Sequence, residues 1–273
     1  MFGIRSWKKP DSLTMVFAVL GVLILFFIFV PLIKTMTSSS LGTLWDTLRD
    51  KSVYLSILVT IWAGLLATLV GLILGIPLAY FLARRQFGGK RILEALIDVP
   101  IVIPHSAAGI ALLFVFGRQF LLGKLFGHIG ITFIDSLAGV VIAMMFVSIP
   151  FLIDSAKDGF RAVDIRLEKV ARTLGASPWQ VFFRVSVPLA RRSIFSGSVL
   201  MWARAMSEFG AVLILAYHVP FLSSQTEVSP ILVADRFTSF GLDYAMPVTV
   251  LVILLSIAIF IALRALAFKQ ERA

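Results

Sequence analysis

Arg204 and Glu208 are opposite charges four residues apart in an otherwise apolar stretch, with Ser207 beside them. On a helix, that spacing puts both on one face and lets them pair. Charges inside an apolar helix are costly and mark a functional hypothesis by default. Two chemistries are open. The pair is a structural lock that fixes helix packing, or Arg204 meets an anion that Glu208, nearby, would oppose. His105, next to Pro104, is either a helix-break residue bonded to backbone or an anion ligand. His128 and His218 give no metal-ligand spacing with it, and cysteine is absent. No Gly-x-x-x-x-Gly-Lys-Ser/Thr phosphate loop occurs, so the chain is not expected to bind or hydrolyse ATP itself. Neither paired carboxylates nor a Ser/His arrangement suggests an enzyme.

The elements around these residues are apolar helices. Of the 273 residues, 59% are hydrophobic and only 15% charged. Residues 13–33 and 53–83 carry no charge at all, and each exceeds the roughly 20 residues that cross a hydrocarbon core. Lipid leaves no partner for an open backbone, so the spans are helical. The sequence predicts an all-α integral membrane protein, one domain over residues 1–273, with six spans near 13–33, 53–83, 95–116, 137–153, 194–217 and 245–263. The third contains Asp98 and should kink at Pro100 and Pro104. The first has a signal-peptide-like basic start, but its apolar run is too long and no small-x-small cleavage pattern follows. An uncleaved anchor is the better reading.

Basic residues set the orientation. Arg5, Lys8 and Lys9, then Arg84, Arg85, Lys90 and Arg91, then the long 155–192 loop, then Arg264, Lys269 and Arg272 fall on one side. The other side has Lys34, Arg49, Lys51, Arg118, Lys124 and Arg236. The positive-inside rule places the richer side, with both termini, in the cytoplasm. The net charge of +10 is therefore mostly topological, and nucleic acid is not an expected partner. Two outside segments, 117–136 and 218–244, are longer than simple turns. In the second, Ser229 is expected to cap and Pro230 to open a short helix. Ala63, Ala67, Gly71, Gly75 and Ala79 recur every four residues, a small-residue face for close packing within the bundle or, alternatively, a dimer seam.

The 155–192 loop has its own pattern. Asp164 can cap a helix that runs to Leu174 and stops at Gly175. Leu167, Val170, Ala171 and Leu174 form one apolar stripe. Ser177-Pro178 opens a second helix, 179–187, which Pro188 should end. Such a stripe packs on the protein's own surface, belongs to a DNA-binding helix-turn-helix, or seats a soluble partner. Ties to the membrane at both ends argue against DNA.

The segment resembles the cytoplasmic EAA loop of ABC importer permeases. Lys169-Val170-Ala171 takes the Glu-Ala-Ala position, Gly175 (followed by Ala176) the glycine, Val185 the aliphatic residue and Val187-Pro188 the Leu-Pro. Lys replaces the family's Glu, and Glu168 stands one position earlier. Arg204-Ala205-Met206-Ser207-Glu208-Phe209-Gly210-Ala211 is similar to a signature of the molybdate, tungstate and sulfate permeases, as is Pro104 to Leu112. The resemblance implies a type I ABC importer permease: a homodimer in a bacterial or archaeal plasma membrane, six helices per subunit, and a coupling helix between the fourth and fifth. It further implies two cytoplasmic ATPase subunits, which use ATP and Mg, docked on 164–188 through Glu168, Lys169, Val170, Ala171, Leu174, Gly175, Ala176 and Pro188. An external binding protein would deliver molybdate or tungstate, with sulfate as the alternative. His105, Arg204, Ser207 and Glu208 would line the pathway. No cofactor or metal is expected on this chain. An ion-gradient-driven secondary transporter is the competing class, but it usually needs inverted repeats, and none is evident.

Overall fold

The computed structural model describes residues 11–269. Arg5, Lys8, Lys9 and Arg272, which help set the expected orientation, lie outside the described residues. Four helices are long and apolar enough to cross a membrane: α1 (Ser12–Met36), α3 (Lys51–Arg84), α7 (Leu137–Ala162) and α13 (Leu242–Lys269, apolar through Ala262). A short amphipathic helix, α2 (Leu41–Arg49), joins the first two.

The other two expected spans are broken. The third is a pair, α4 (Lys90–Val102) and α5 (His105–Phe116), bent by 113°. Pro100 is held within α4, and the break falls at Ile103-Pro104. A short helix, α6 (Leu121–Gly127), follows. The fifth expected span, 194–217, is not one helix. Instead α10 (Val187–Met206) stops at Ser207, and α11 (Gly210–Leu215) restarts three residues later. Charge explains the difference: Arg191, Arg192 and Arg204 sit in α10, and Glu208 is spent at the break.

α3, α7 and α10 form the centre of the bundle. The small-residue face of α3 lies inside it: Ala63, Ala67, Gly71, Gly75 and Ala79 are all buried. A Cβ on Gly71 would come within 2.5 Å of the Met201 side chain, so the glycine sets how closely α3 and α10 approach. The face therefore packs within the chain. Two large apolar layers fill the bundle, one around Val59, Met144, Val147 and Leu215, the other around Leu82, Leu152, Phe160 and Met201, and a small third cluster joins Val53, Leu232 and Val248.

Between α7 and α10 lie α8 (Ile165–Thr173) and α9 (Pro178–Val181). Pro188 does not end the second loop helix. Residues Phe182–Ser186 form a π turn, in which the Val187 N–H donates to the Phe182 carbonyl, and the helix runs on from Pro178 to Met206. The wider turn absorbs a proline ring that would otherwise press on the carbonyl one α-turn earlier.

After α11, a hairpin of β1 (Val219–Phe221) and β2 (Ser224–Thr226) leads to α12 (Ser229–Phe240). Ser229 is not the cap of α12 but its first residue. Its N–H donates at 2.8 Å to the Thr60 hydroxyl of α3, which caps the helix from a distance. A second tie joins these helices at Asp50, where Arg236 donates at 2.8 Å. Burial raises the Asp50 pKa, but hydrogen bonds from the Ser52 hydroxyl and amide and from Arg236 outweigh it and hold the carboxyl below its ordinary value. A depressed carboxylate stabilises the fold above its unfolded pKa and loses that contribution as pH falls through the folded value. Asp50→Asn keeps the helix cap and loses the ion pair. Its melting temperature should trail wild type at neutral pH by the equivalent of at most about 1 kcal/mol, given the pair's exposure. The gap should close as pH falls below about 4, the ordinary carboxylate range.

Candidate functional site

Two sites follow from the residues singled out by sequence. The first is the loop. The Asp164 carboxylate accepts from the Arg166 N–H at 2.9 Å and opens α8. Gly175, at φ +91°, closes it in a conformation that L side chains rarely adopt. A capping box starts α9: Ser177 accepts from the Gln180 N–H, and Gln180 accepts from the Ser177 N–H at 2.8 Å.

The apolar stripe does not pack on the protein's own surface. Leu167, Val170 and Leu174 are exposed, Val170 by 56% and Leu174 by 83%. Lys169 and Gly175 share that exposure, Ala171 and Ala176 are half-buried, and Pro188 stands apart in α10. Glu168 is the reverse of what its charge suggests. It is 8% exposed and turned inward. Arg84 of α3 donates to it through Nε at 2.8 Å and approaches at 2.7 Å through Nη2. The Tyr80 hydroxyl donates at 3.1 Å, and the Ser186 hydroxyl of the π turn at 2.8 Å. Glu168 therefore cannot supply an acid to a partner's surface. It ties α8 to the end of a membrane helix. Tyr80, Arg84 and Ser186 were not legible as site residues, because the first two lie more than 80 positions away in sequence.

The second site is the break between α10 and α11. Arg204 Nη2 donates to Glu208 Oε2 at 3.1 Å and lies 2.8 Å from His105 Nε2. Arg204 Nη1 donates to the Ser207 hydroxyl at 3.2 Å. Glu208 is fully buried, and its other oxygen accepts from the Ala211 N–H at 2.8 Å, capping α11. All four residues chosen from sequence thus meet at one point. The guanidinium is neutralised by Glu208, while the His105 ring, 41% exposed, faces a cavity of about 560 Å³ lined also by Ser106, Phe209, Gly210 and Leu213. Glycines allow the two broken helices to touch. A Cβ on Gly210 would lie 2.8 Å from that of His105, and one on Gly109 would lie 2.8 Å from that of Ile214. No signal in the sequence assigned those glycines this role.

Residues 71–272 match the family described as binding-protein-dependent transport system inner membrane component. The chain belongs to that family. The matched stretch begins within α3 and contains both sites. The permease is 42% identical over 96% of its length to the molybdate/tungstate transport system permease protein WtpB of Thermococcus kodakarensis, 99% of which is covered. It is 33% identical over 94% of its length to a probable sulfate transport system permease protein cysT of Chlorokybus atmophyticus, covering 86% of that protein. Among solved structures, a bacterial alginate ABC transporter in complex with alginate pentasaccharide-bound periplasmic protein matches with TM-score 0.72 at 16% identity, covering 95% of this chain and 96% of that one. The MetNI methionine ABC transporter, in an inward-facing form, matches with TM-score 0.58 at 17% identity, covering 86% and 98%. The fold is that of the type I ABC importer permeases.

Proposed function

We propose that this chain is the membrane permease of an ABC importer that takes up molybdate or tungstate. The uncovered apolar stripe of α8, held in place by a buried glutamate, is the observation that carries the reading. A membrane protein that leaves Leu167, Val170 and Leu174 open to water on a rigidly tethered helix is built to receive a partner there. The partner is a cytoplasmic ATPase, two copies serving two copies of this chain, and ATP and Mg belong to it. An external binding protein delivers the anion to the opposite face, and both termini of the single 1–273 domain are cytoplasmic. The names of relatives at 41–42% identity support molybdate and tungstate.

In this mechanism, nucleotide-driven closure of the ATPase pair moves α8, and the uninterrupted α9–α10 helix carries the movement to the Arg204 site. The anion passes the His105 cavity without binding tightly, since strong retention would slow release. Glu208 serves this by holding Arg204 partly neutralised. The sulfate relative supports a second reading in which sulfate is the cargo. Uptake of labelled molybdate, tungstate and sulfate by vesicles holding the complex and its binding protein separates the two. The docking test is Val170→Asp with Leu174→Asp. Both side chains are exposed, so the permease should fold normally while ATPase co-purification falls at least tenfold. Undiminished co-purification would remove α8 as the seat.

A further inference from the structure

A groove of about 720 Å³ runs between α3 and the α9–α10 helix, and no residue of α8 lines it. Its floor and walls are almost wholly apolar, with Ile73, Phe81 and Phe183 exposed along it. From Leu72 to Arg85 it follows α3 for roughly 20 Å at 1.5 Å per residue. That is close to one leaflet's share, about 15 Å, of the hydrocarbon core. Leu65 and Leu69 extend the exposed apolar face of α3 from Ile73 toward the middle of the span, so the groove is continuous with an uncovered apolar face of a membrane helix.

The groove ends in cations and aromatics. Arg84 and Arg85 close it. Arg84 is committed to Glu168 and the Val163 carbonyl. Arg85 is exposed, and no carboxylate pairs with it among the described residues. Trp179 stacks on Phe183 at 6.0 Å with rings 14° from parallel, forming the rim. An exposed Trp beside a cation at the end of an apolar channel is the arrangement of a membrane–water interface. An apolar slot of one leaflet's length with a free guanidinium at its polar end matches one molecule: a phospholipid of the same leaflet, with its chain in the slot and its phosphate on Arg85.

We propose that this groove is a binding site for an anionic phospholipid. The site stands on the fold alone, and its test reads lipid retention rather than transport. Wild-type permease with its ATPase partner, in nanodiscs of mixed phosphatidylglycerol and phosphatidylcholine, is exchanged into detergent, and the retained lipid is measured by mass spectrometry. Selective retention of phosphatidylglycerol is expected, with millimolar inorganic phosphate failing to displace it. Arg85→Gln should weaken retention about fivefold, the loss of one surface cation's contribution of about 1 kcal/mol. Arg91→Gln, on the same side but outside the groove, should leave it unchanged. Ile73→Trp, which fills the slot, should abolish it. As a second measurement, brominated-chain phosphatidylglycerol should quench the fluorescence component that Trp179→Phe removes. Equal retention in the Arg85 and Arg91 variants, displacement by free phosphate, or an unquenched Trp179 in the assembled complex, the last showing that a protein surface covers the groove, would each overturn the site.

Discussion

With a Glu168→Ala permease, the proposed ATPase partner is expected still to bind and to hydrolyse ATP, while the complex imports less than a tenth of the normal anion per ATP. The outer face of α8 is untouched by the change, so docking survives. Beneath it, Arg84 loses its counter-charge in a site where it is only 11% exposed. Removing one member of a buried ion pair costs about 3–5 kcal/mol. Tyr80 and Ser186 also lose their acceptor. The helix would then shift on its seat without pulling α3. Glu168→Gln retains an acceptor for Ser186 and should lose less. Combining Glu168→Ala with Arg84→Met should cost less than the sum of the two, because no orphan guanidinium remains. Uptake and ATP hydrolysis measured together in proteoliposomes decide the matter: normal uptake per ATP in the alanine variant would remove the tie from the mechanism.

Glu208→Ala should fail earlier, at folding. Its carboxylate is fully buried, balances Arg204 and caps α11. Loss of all three roles should lower stability by about 3–5 kcal/mol, visible as loss of monodisperse protein after solubilisation. Glu208→Gln can still cap Ala211 and should fold, yet it frees the guanidinium. Anion passage should then slow, because Arg204 binds the cargo too well. If the site is instead a static lock, Arg204→Gln with Glu208→Gln should restore both stability and wild-type uptake. Restored stability with altered uptake places the pair on the anion's path.

Much of this is legible in the sequence. The α8 boundaries follow from Asp164 and Gly175, whose local chemistry needs no tertiary context. The pairing of Arg204 with Glu208 is what the four-residue spacing leads one to expect, although the helix ends at Met206 and Glu208 meets the guanidinium from the break. What escaped was decided at long range. Glu168 reads as a surface charge until Arg84, Tyr80 and Ser186 surround it. Pro188 reads as a terminator because a π turn leaves no mark in composition. The continuous span at 194–217 fails because hydropathy cannot register a carboxylate that stops one helix in order to cap the next. Ser229 loses its expected capping role to an accepting hydroxyl on another element, that of Thr60.

The chain stays helical from Pro178 to Met206, π turn included, so the stretch can act as a lever arm. Arg204 lies roughly 40 Å along its axis from the loop end, at 1.5 Å per residue. A pivot of only about 5° at the loop end would sweep the guanidinium sideways by about 3 Å, the width of one hydrogen bond. A rotation that small at the protein's edge would be enough to carry Arg204 from one hydrogen-bonding partner to the next at its centre.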